Sequence, residues 1–186
     1  MGNQNQRYPE LMKPGRIGHL LLKNRIVLAP MGTYLAGRDG MMTDRMKSYY
    51  VERARGGAGL IIVGVASVDY PRGRCMTRQL GLSDDKFIPG LADLAEAVHK
   101  HEAKIAIQLQ HGGRIAAPFL SGGHEAVSAS VIPLVPAELG VTRELTIPEI
   151  QQLVTSFALA AERAKNAGID GVEIHAGHGY LIDQFL

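Results

Sequence analysis

The run KIAIQLQ, Lys104 to Gln110, decides how the rest of the chain is read. Successive side chains of an extended strand point to opposite faces, so Ile105, Ile107 and Leu109 share one face. Ala106, Gln108 and Gln110 share the other. The aliphatic face suits a covering layer of helices. The second face then carries amides inward toward the C-terminal end of the strand, and buried amides are costly unless something bonds to them. A strand of this kind holds up a site as well as a core.

Three further runs read as strands around it. RIVLAP (Arg25–Pro30) ends at a proline, GLIIVGV (Gly59–Val65) is continuously apolar, and GVEIHA (Gly171–Ala176) carries Val172 and Ile174 on one face. Gly171, Glu173 and His175 fall on its other face, so an amide and an imidazole converge on one end. Helical patterns lie between the strands. Thr43 is placed to cap a helix with Met46, Tyr50 and Ala54 on one face, ended by Gly56 and Gly57. Ser83 is placed to cap a second helix bearing Ile88, Leu91, Ala95 and Val98. Thr146 and Glu149 form a capping-box pattern before a third, with Ile150, Leu153, Val154, Phe157 and Ala161 as its expected buried stripe. Gly168 suits the left-handed residue after that helix. Residues Gly112 to Leu145, rich in Gly, Ser, Ala and Pro, read as a long loop.

This alternation fits an α/β barrel or a doubly wound sheet. No G-x-G-x-x-G follows a strand, which favours the (β/α)8 barrel. A complete barrel needs eight units and about 250 residues. This chain has 186 residues and shows about the first four units, so it is expected to be the N-terminal half of a barrel.

Composition narrows the function. A net charge of +2 gives no electrostatic reason to expect nucleic acid or a membrane surface as partner. No apolar run reaches bilayer length, and the polar opening MGNQNQRYPELMKPG lacks the features of a signal peptide. Cys75 is the only cysteine, so neither an internal disulfide nor a cysteine cluster can form, and a cytoplasmic setting is expected.

The last stretch, EIHAGHGYLIDQFL, sets His175, His178 and Tyr180 close together. Positions i and i+3 of a strand face opposite ways, so the two imidazoles can meet one ligand only if the chain turns, which Gly177 and Gly179 permit. A zinc site lacks a third ligand nearby, and no metal is expected. A pair that holds an anionic or electron-rich group suits two imidazoles better. Tyr180 reads either as a packed aromatic or, beside the histidines, as a proton donor. The Gln108 amide suits the edge of a heteroaromatic ring. Glu173 reads as structural, with Arg25 as its expected partner. Arg114 reads either as an anion contact or as a solvated loop residue, and Cys75 is given no role.

Four segments, APMGTY, YYVERARGGAGLIIV, IQLQHGGR and GVEIHAGHGYLIDQFL, together resemble the old yellow enzyme family of FMN-dependent ene-reductases and NADH:flavin oxidoreductases. The resemblance runs from about Pro14 to Leu186 and implies residues 1–186 as the first half of an FMN-binding TIM barrel. It implies that Ala29, Pro30, Met31, Gly64, Val65 and Gln108 contact FMN. His175 and His178 would bind the ring or the activating carbonyl of a substrate, and Tyr180 would protonate carbon. Tyr34 matches an active-site tyrosine of some bacterial members and joins Arg114 as a substrate contact. NAD(P)H is the implied reductant, and an enone or enoate-like small molecule the implied substrate. Where many members carry Thr or Cys after the PM pair, this chain has Gly32. The alternatives are a relative of the amine dehydrogenases or dienoyl-CoA reductases with a downstream iron–sulfur domain, and a non-catalytic half-barrel. Open strand edges also lead to an expected homo-oligomer, or to a place within a longer chain.

Overall fold

Local capping chemistry sets the helices. The Thr43 side chain accepts a hydrogen bond from Met46 N and starts the helix Asp44–Arg55, whose buried residues are Met46, Tyr50 and Ala54, as the spacing predicts. In the computed structural model, which describes residues 7–186, this helix is α2, after a one-turn α1 (Pro9–Met12). The first six residues of the polar N-terminal reading lie outside the described ones. The cap expected at Ser83 sits one residue later. The Asp84 carboxylate accepts from Lys86 N and opens a 3-10 turn, Asp85–Phe87, that runs into α3 (Ile88–His99). The Ser83 hydroxyl instead reaches Tyr70 O at 3.5 Å. Helix α4 (Ile147–Asn166) begins with the expected capping box, Thr146 with Glu149.

Strands β1 (Gly15–Ile17) and β2 (Leu20–Leu22) form an antiparallel hairpin that the sequence reading does not contain. Leu22 of this hairpin packs with Leu60 and Ala106 and covers the inner face of the main sheet at its N-terminal end. That sheet is parallel: β3 (Val27–Leu28), β4 (Leu60–Ser67), β6 (Lys104–Gln110) and β9 (Gly171–Ile174) lie side by side in this order. A short β5 (Leu80–Gly81) pairs with the end of β4. Strand β3 is shorter than RIVLAP suggests, because the Asn24 side chain accepts from Ile26 N and ends the pairing at its start. The segment from Gly112 to Leu145 is mostly loop, with one parallel pair of β7 (Val127–Ser128) and β8 (Arg143–Glu144). Strand, helix, parallel strand is the repeat of a (β/α)8 barrel, and the described residues form part of one.

The core lies between sheet and helices. Ile61, Val63, Ile105, Ile107 and Leu109 are all 0% exposed and pack against Leu91, Leu94, Val98, Ala160 and Ala164. On α4 the buried positions are Leu153, Ala160 and Ala164, and Val154 is 66% exposed, which corrects the predicted stripe. Small alanines let the helix approach the sheet there. Val154 instead lines, with Ile150, Phe157, Ile174, Leu181 and Phe185, an apolar groove of about 370 Å³ beside β9.

The pairing of β4 with β6 breaks once. Val63 is opposite Ile107 and Ala66 opposite Leu109, so Gly64 and Val65 together oppose Gln108. Such a bulge leaves backbone groups without ladder partners. The buried Tyr50 hydroxyl takes them over, lying 3.4 Å from Gly64 N and 3.3 Å from Gly64 O. Burial pushes its phenol up to about 12. Replacing Tyr50 by Phe is expected to lower stability by about 1–3 kcal/mol, because both Gly64 groups are left unbonded in a dry site. A fall in the urea midpoint with an unchanged slope is the result to look for.

Candidate functional site

The register brings the C-terminal ends of four strands to one level. Leu28 pairs with Ile61, so Ala29, Pro30 and Met31 run alongside Ile62 to Gly64. Contact there is tight: a Cβ added at Gly64 would fall 2.6 Å from Met31 N and 2.8 Å from Pro30 Cβ. Gly64 and Val65 oppose Gln108, Gln108 pairs with Glu173, and His175 N donates to Leu109 O. Ala29, Pro30, Met31, Gly64, Val65, Gln108 and His175 therefore border one mouth. Val65 and Gln108 are buried, whereas Ala29 and Met31 are open to solvent.

Glu173 sets how Gln108 is used. A carboxylate only accepts, so the Gln108 Nε2 group faces Glu173 Oε1 at 2.6 Å, and its carbonyl oxygen points the other way, an acceptor without a partner among the described residues. The expected partner of Glu173, Arg25, does not make this contact. Register explains why: Gln108 stands directly across from Glu173, and Arg25 precedes a strand on the far side of β4.

The two histidines meet, but through each other. His178 Nδ1 lies 3.2 Å from His175 Nε2, with ring centroids 5.0 Å apart. Gly177 N–H, which can only donate, approaches His175 Nδ1 at 3.3 Å. His175 is therefore the Nε2–H tautomer, donating to His178 Nδ1, and His178 Nε2 carries a hydrogen. Burial, with His178 second, holds His175 below the ordinary imidazole range, so this neutral relay is its state near pH 7. The turn that joins them has positive φ at His178 (59°) and Gly179 (72°), not at Gly177, whose N–H is held by His175.

Tyr180 stacks edge-on against His175, ring centroids 4.7 Å apart. Burial pushes its phenol well above the ordinary range, helped by the neighbouring Cys75 and Tyr34. Tyr34, the other substrate contact that the resemblance implies, is 55% exposed and takes a positive φ of 56°. Arg114 packs against Gly179, with Nη2 3.6 Å from where a Cβ there would sit. It is half-buried rather than fully solvated, and its buried Nε has no partner among the described residues. The 3-10 turn at Gly113–Ile115 and the closing turn are stitched together by Leu181 N to His111 O at 3.0 Å and Arg114 N to Gln184 Oε1 at 3.3 Å.

Residues 10–186 match the sequence profile of the NADH:flavin oxidoreductase / NADH oxidase family. The chain belongs to that family. It is 49% identical over 180 residues to an NADH oxidase of Thermoanaerobacter brockii, covering 96% of this chain and 27% of that protein. It is 44% identical over 188 residues to a cinnamate reductase of Clostridium sporogenes, covering 96% of this chain and 28% of that protein. Among solved structures, an old yellow enzyme homologue from Zymomonas mobilis superposes with a TM-score of 0.85 at 34% identity, covering 95% of this chain and 51% of that one. The chain thus spans between about a quarter and a half of these relatives' own length.

The donor set suits the flavin of this family, FMN. Along the mouth stand a free amide oxygen, a free imidazole N–H and exposed main chain, all uncharged, as the edge of a neutral heteroaromatic ring requires. The orphaned Arg114 Nε adds a donor for an electron-rich oxygen. Sequence reasoning missed two residues of this neighbourhood. Tyr50 holds the bulge, and Cys75 joins Gln79 and Gln110 in a buried polar ring. Tyr50 lies inside YYVERARGGAGLIIV, but its spacing shows only a buried helix face, and Cys75 is 35 residues from Gln110, so no spacing could have shown either role.

Gly64→Ala is expected to destabilise the protein by about 1–3 kcal/mol and weaken flavin retention, since main chain cannot yield to the added methyl as a side chain could. Urea midpoint and the yellow absorbance per mole of protein measure the two effects. The folded state binds the His175 proton less well than the unfolded chain does. Its contribution is therefore complete above the unfolded value of about 6.5 and is lost as pH falls through that value toward the lower folded one. His175→Asn is expected to flatten the stability profile between about pH 7.5 and about pH 5, as read from urea midpoints.

Proposed function

We propose that this chain supplies the ring-facing and substrate-polarising part of an FMN-dependent oxidoreductase that uses NAD(P)H to reduce activated carbon–carbon double bonds. One observation carries the reading: a free His178 Nε2–H and the Tyr180 phenol flank the same His175 ring, at centroid distances of 5.0 and 4.7 Å. A hydrogen-bond donor for a carbonyl oxygen thereby stands beside a proton donor for carbon. The similarity to a cinnamate reductase supports an enoate-like substrate.

FMN, when bound, supplies hydride chemistry that no side chain can. The chain's own residues do the rest. Gln108 offers its carbonyl oxygen to a ring N–H, and Ala29, Pro30, Met31, Gly64 and Val65 wall the ring with main chain. His178 Nε2–H donates to the substrate carbonyl and stabilises the enolate oxygen that develops, with His175 Nε2–H behind it holding the tautomer. Tyr180 gives its proton to the carbon next to the carbonyl. On this reading Tyr34 and Arg114 border the space the substrate occupies, Arg114 from beside Gly179.

On this reading the open side of the sheet is closed by the remaining β/α units of a barrel, in the same polypeptide or from a second copy. Val172 and Ile174, 40% and 49% exposed on β9, and the apolar groove beside them support it. A cytoplasmic setting goes with the single buried thiol of Cys75.

Replacing both His175 and His178 by Ala in the full-length protein is expected to slow alkene reduction by roughly 3–4 kcal/mol of activation, while reduction of flavin by NAD(P)H is largely kept. Equal losses in the two half-reactions would mean that the pair holds flavin rather than substrate. A purified protein that carries no flavin absorbance would overturn the reading as a whole.

A further inference from the structure

Between the loops that follow β3 and β4 lies a polar cavity of about 500 Å³, lined by Arg38, Arg74, Thr77 and Arg78. It adjoins the mouth. A Cβ added at Gly32 would fall 2.7 Å from Met76 Cε, so the two loops touch between Met31 of the mouth and Thr77 of the cavity. None of the three guanidinium groups makes an ion pair among the described residues. The acids nearby are engaged elsewhere. Asp39 Oδ1 accepts from Met41 N at 3.1 Å, Asp69 faces His111 Nε2 at 3.5 Å, and Glu149 holds Arg72 and Arg143. Three positive charges gathered without a counter-charge repel one another, and an anion that enters between them turns that repulsion into attraction.

Two of the three arginines are held in place. Arg74 is half-buried: its Nε donates to Leu120 O, and its Nη1 to the Tyr70 hydroxyl at 3.0 Å and to Arg38 O at 3.4 Å. Its Nη2 has no hydrogen-bond partner among the described residues. Arg78 takes a positive φ of 59°, uncommon for a residue with a side chain. Its neighbour Gln79 fixes it there. Gln79 is 1% exposed, accepts from Cys75 N at 2.8 Å and donates to Gln110 Oε1 at 2.7 Å. All the cations that line the cavity are arginines, whose planar groups offer paired N–H donors matched to the oxygens of a phosphate.

We propose that this cavity binds the phosphate groups of a nucleotide whose reacting end lies at the mouth, either the reductant NAD(P)H or a coenzyme A thioester of the enoate. The inference rests on the reading of the mouth as an oxidoreductase site. The shared chemistry is a diphosphate. The phosphate site usual to a (β/α)8 barrel lies after its seventh and eighth strands. Arg38 and Arg78 follow the first two, β3 and β4, so they serve a second phosphate. No bond is made or broken here: the arginines seat the tail of the ligand and thereby place its head.

The test uses the full-length, FMN-loaded protein, in which the flavin's own phosphate is already seated, and its first arm needs no turnover. Inorganic diphosphate, titrated by calorimetry at low ionic strength, is expected to bind. Arg38→Gln with Arg78→Gln, both at exposed positions, is expected to weaken that binding ~10-fold. Arg38→Lys with Arg78→Lys, which keeps the charges, is expected to recover part of the loss. The second arm measures apparent dissociation constants: of NADPH from the concentration dependence of flavin reduction, and of a cinnamoyl coenzyme A thioester and free cinnamate from that of flavin reoxidation. A ~10-fold loss for NADPH alone assigns the cavity to the reductant. A loss for the thioester but not for free cinnamate assigns it to the substrate, and a loss for both makes it a seat they share. Equal affinity of the unsubstituted and Gln proteins for diphosphate overturns the proposal. So does weakened diphosphate binding with NADPH and thioester unaffected, which would mean an adventitious ion only. A protein that reduces no alkene at all would sink the functional reading instead, and the diphosphate arm would still decide whether the cavity takes phosphate.

Discussion

The dry face shared by β4 and β6 is the constraint on which the rest of the structure depends. Ile61, Val63, Ile105, Ile107 and Leu109 are removed entirely from water, each stabilising the fold by about 1.5–3 kcal/mol. Because strand side chains alternate, placing these five against the helices forces Gln108 and Gln110 to the opposite face. A one-residue slip would turn the aliphatic set outward, so the register is strongly held. The polar mouth is thus a consequence of the core.

Within that frame, each polar group at the mouth is oriented by a partner with only one possible role. Glu173 can only accept, and it turns the Gln108 amide. Gly177 N–H can only donate, and it sets the His175 tautomer and hence that of His178. Cys75 N–H does the same for Gln79 and Gln110. Side chains with two possible orientations are in this way reduced to one before any ligand arrives, the preorganisation that electrostatic stabilisation of a developing charge requires. The bulge at Gly64 and Val65 belongs to the same design, since Tyr50 takes up the backbone groups that the irregular ladder releases.

The two edges of the sheet differ from its centre. Strand β9 exposes Val172 and Ile174, and the neighbouring groove is lined by side chains such as Val154 and Phe185 that are 66% and 48% exposed. Such apolar surface is what a barrel buries when its circle is closed. This also explains the misplaced stripe on α4: its apolar residues serve two surfaces, the sheet through Leu153, Ala160 and Ala164, and the groove through Ile150, Val154 and Phe157.

The sequence by itself determined the elements, their faces and the family. Strand alternation in KIAIQLQ, the caps at Thr43 and Thr146 and the motif around His175, His178 and Tyr180 are local features, carried by neighbours along the chain. Even so, local signals were ambiguous at Ser83, where an adjacent aspartate is the stronger acceptor, and along RIVLAP, where a side chain interrupts pairing. Only the tertiary structure decided the partners: Glu173 with Gln108 rather than Arg25, His175 with His178 as a relay, and Gln79 with Gln110. The hairpin of β1 and β2 beneath the sheet and the phenol of Tyr50 at the bulge were equally out of reach. The Glu173–Gln108 bond joins residues 65 apart in the chain, and even the neighbouring histidines meet only because the turn at His178 and Gly179 brings their rings together. Hydrogen bonds of that kind depend on register and on the angle at which strands and turns meet, and neither quantity is written in the order of the residues alone.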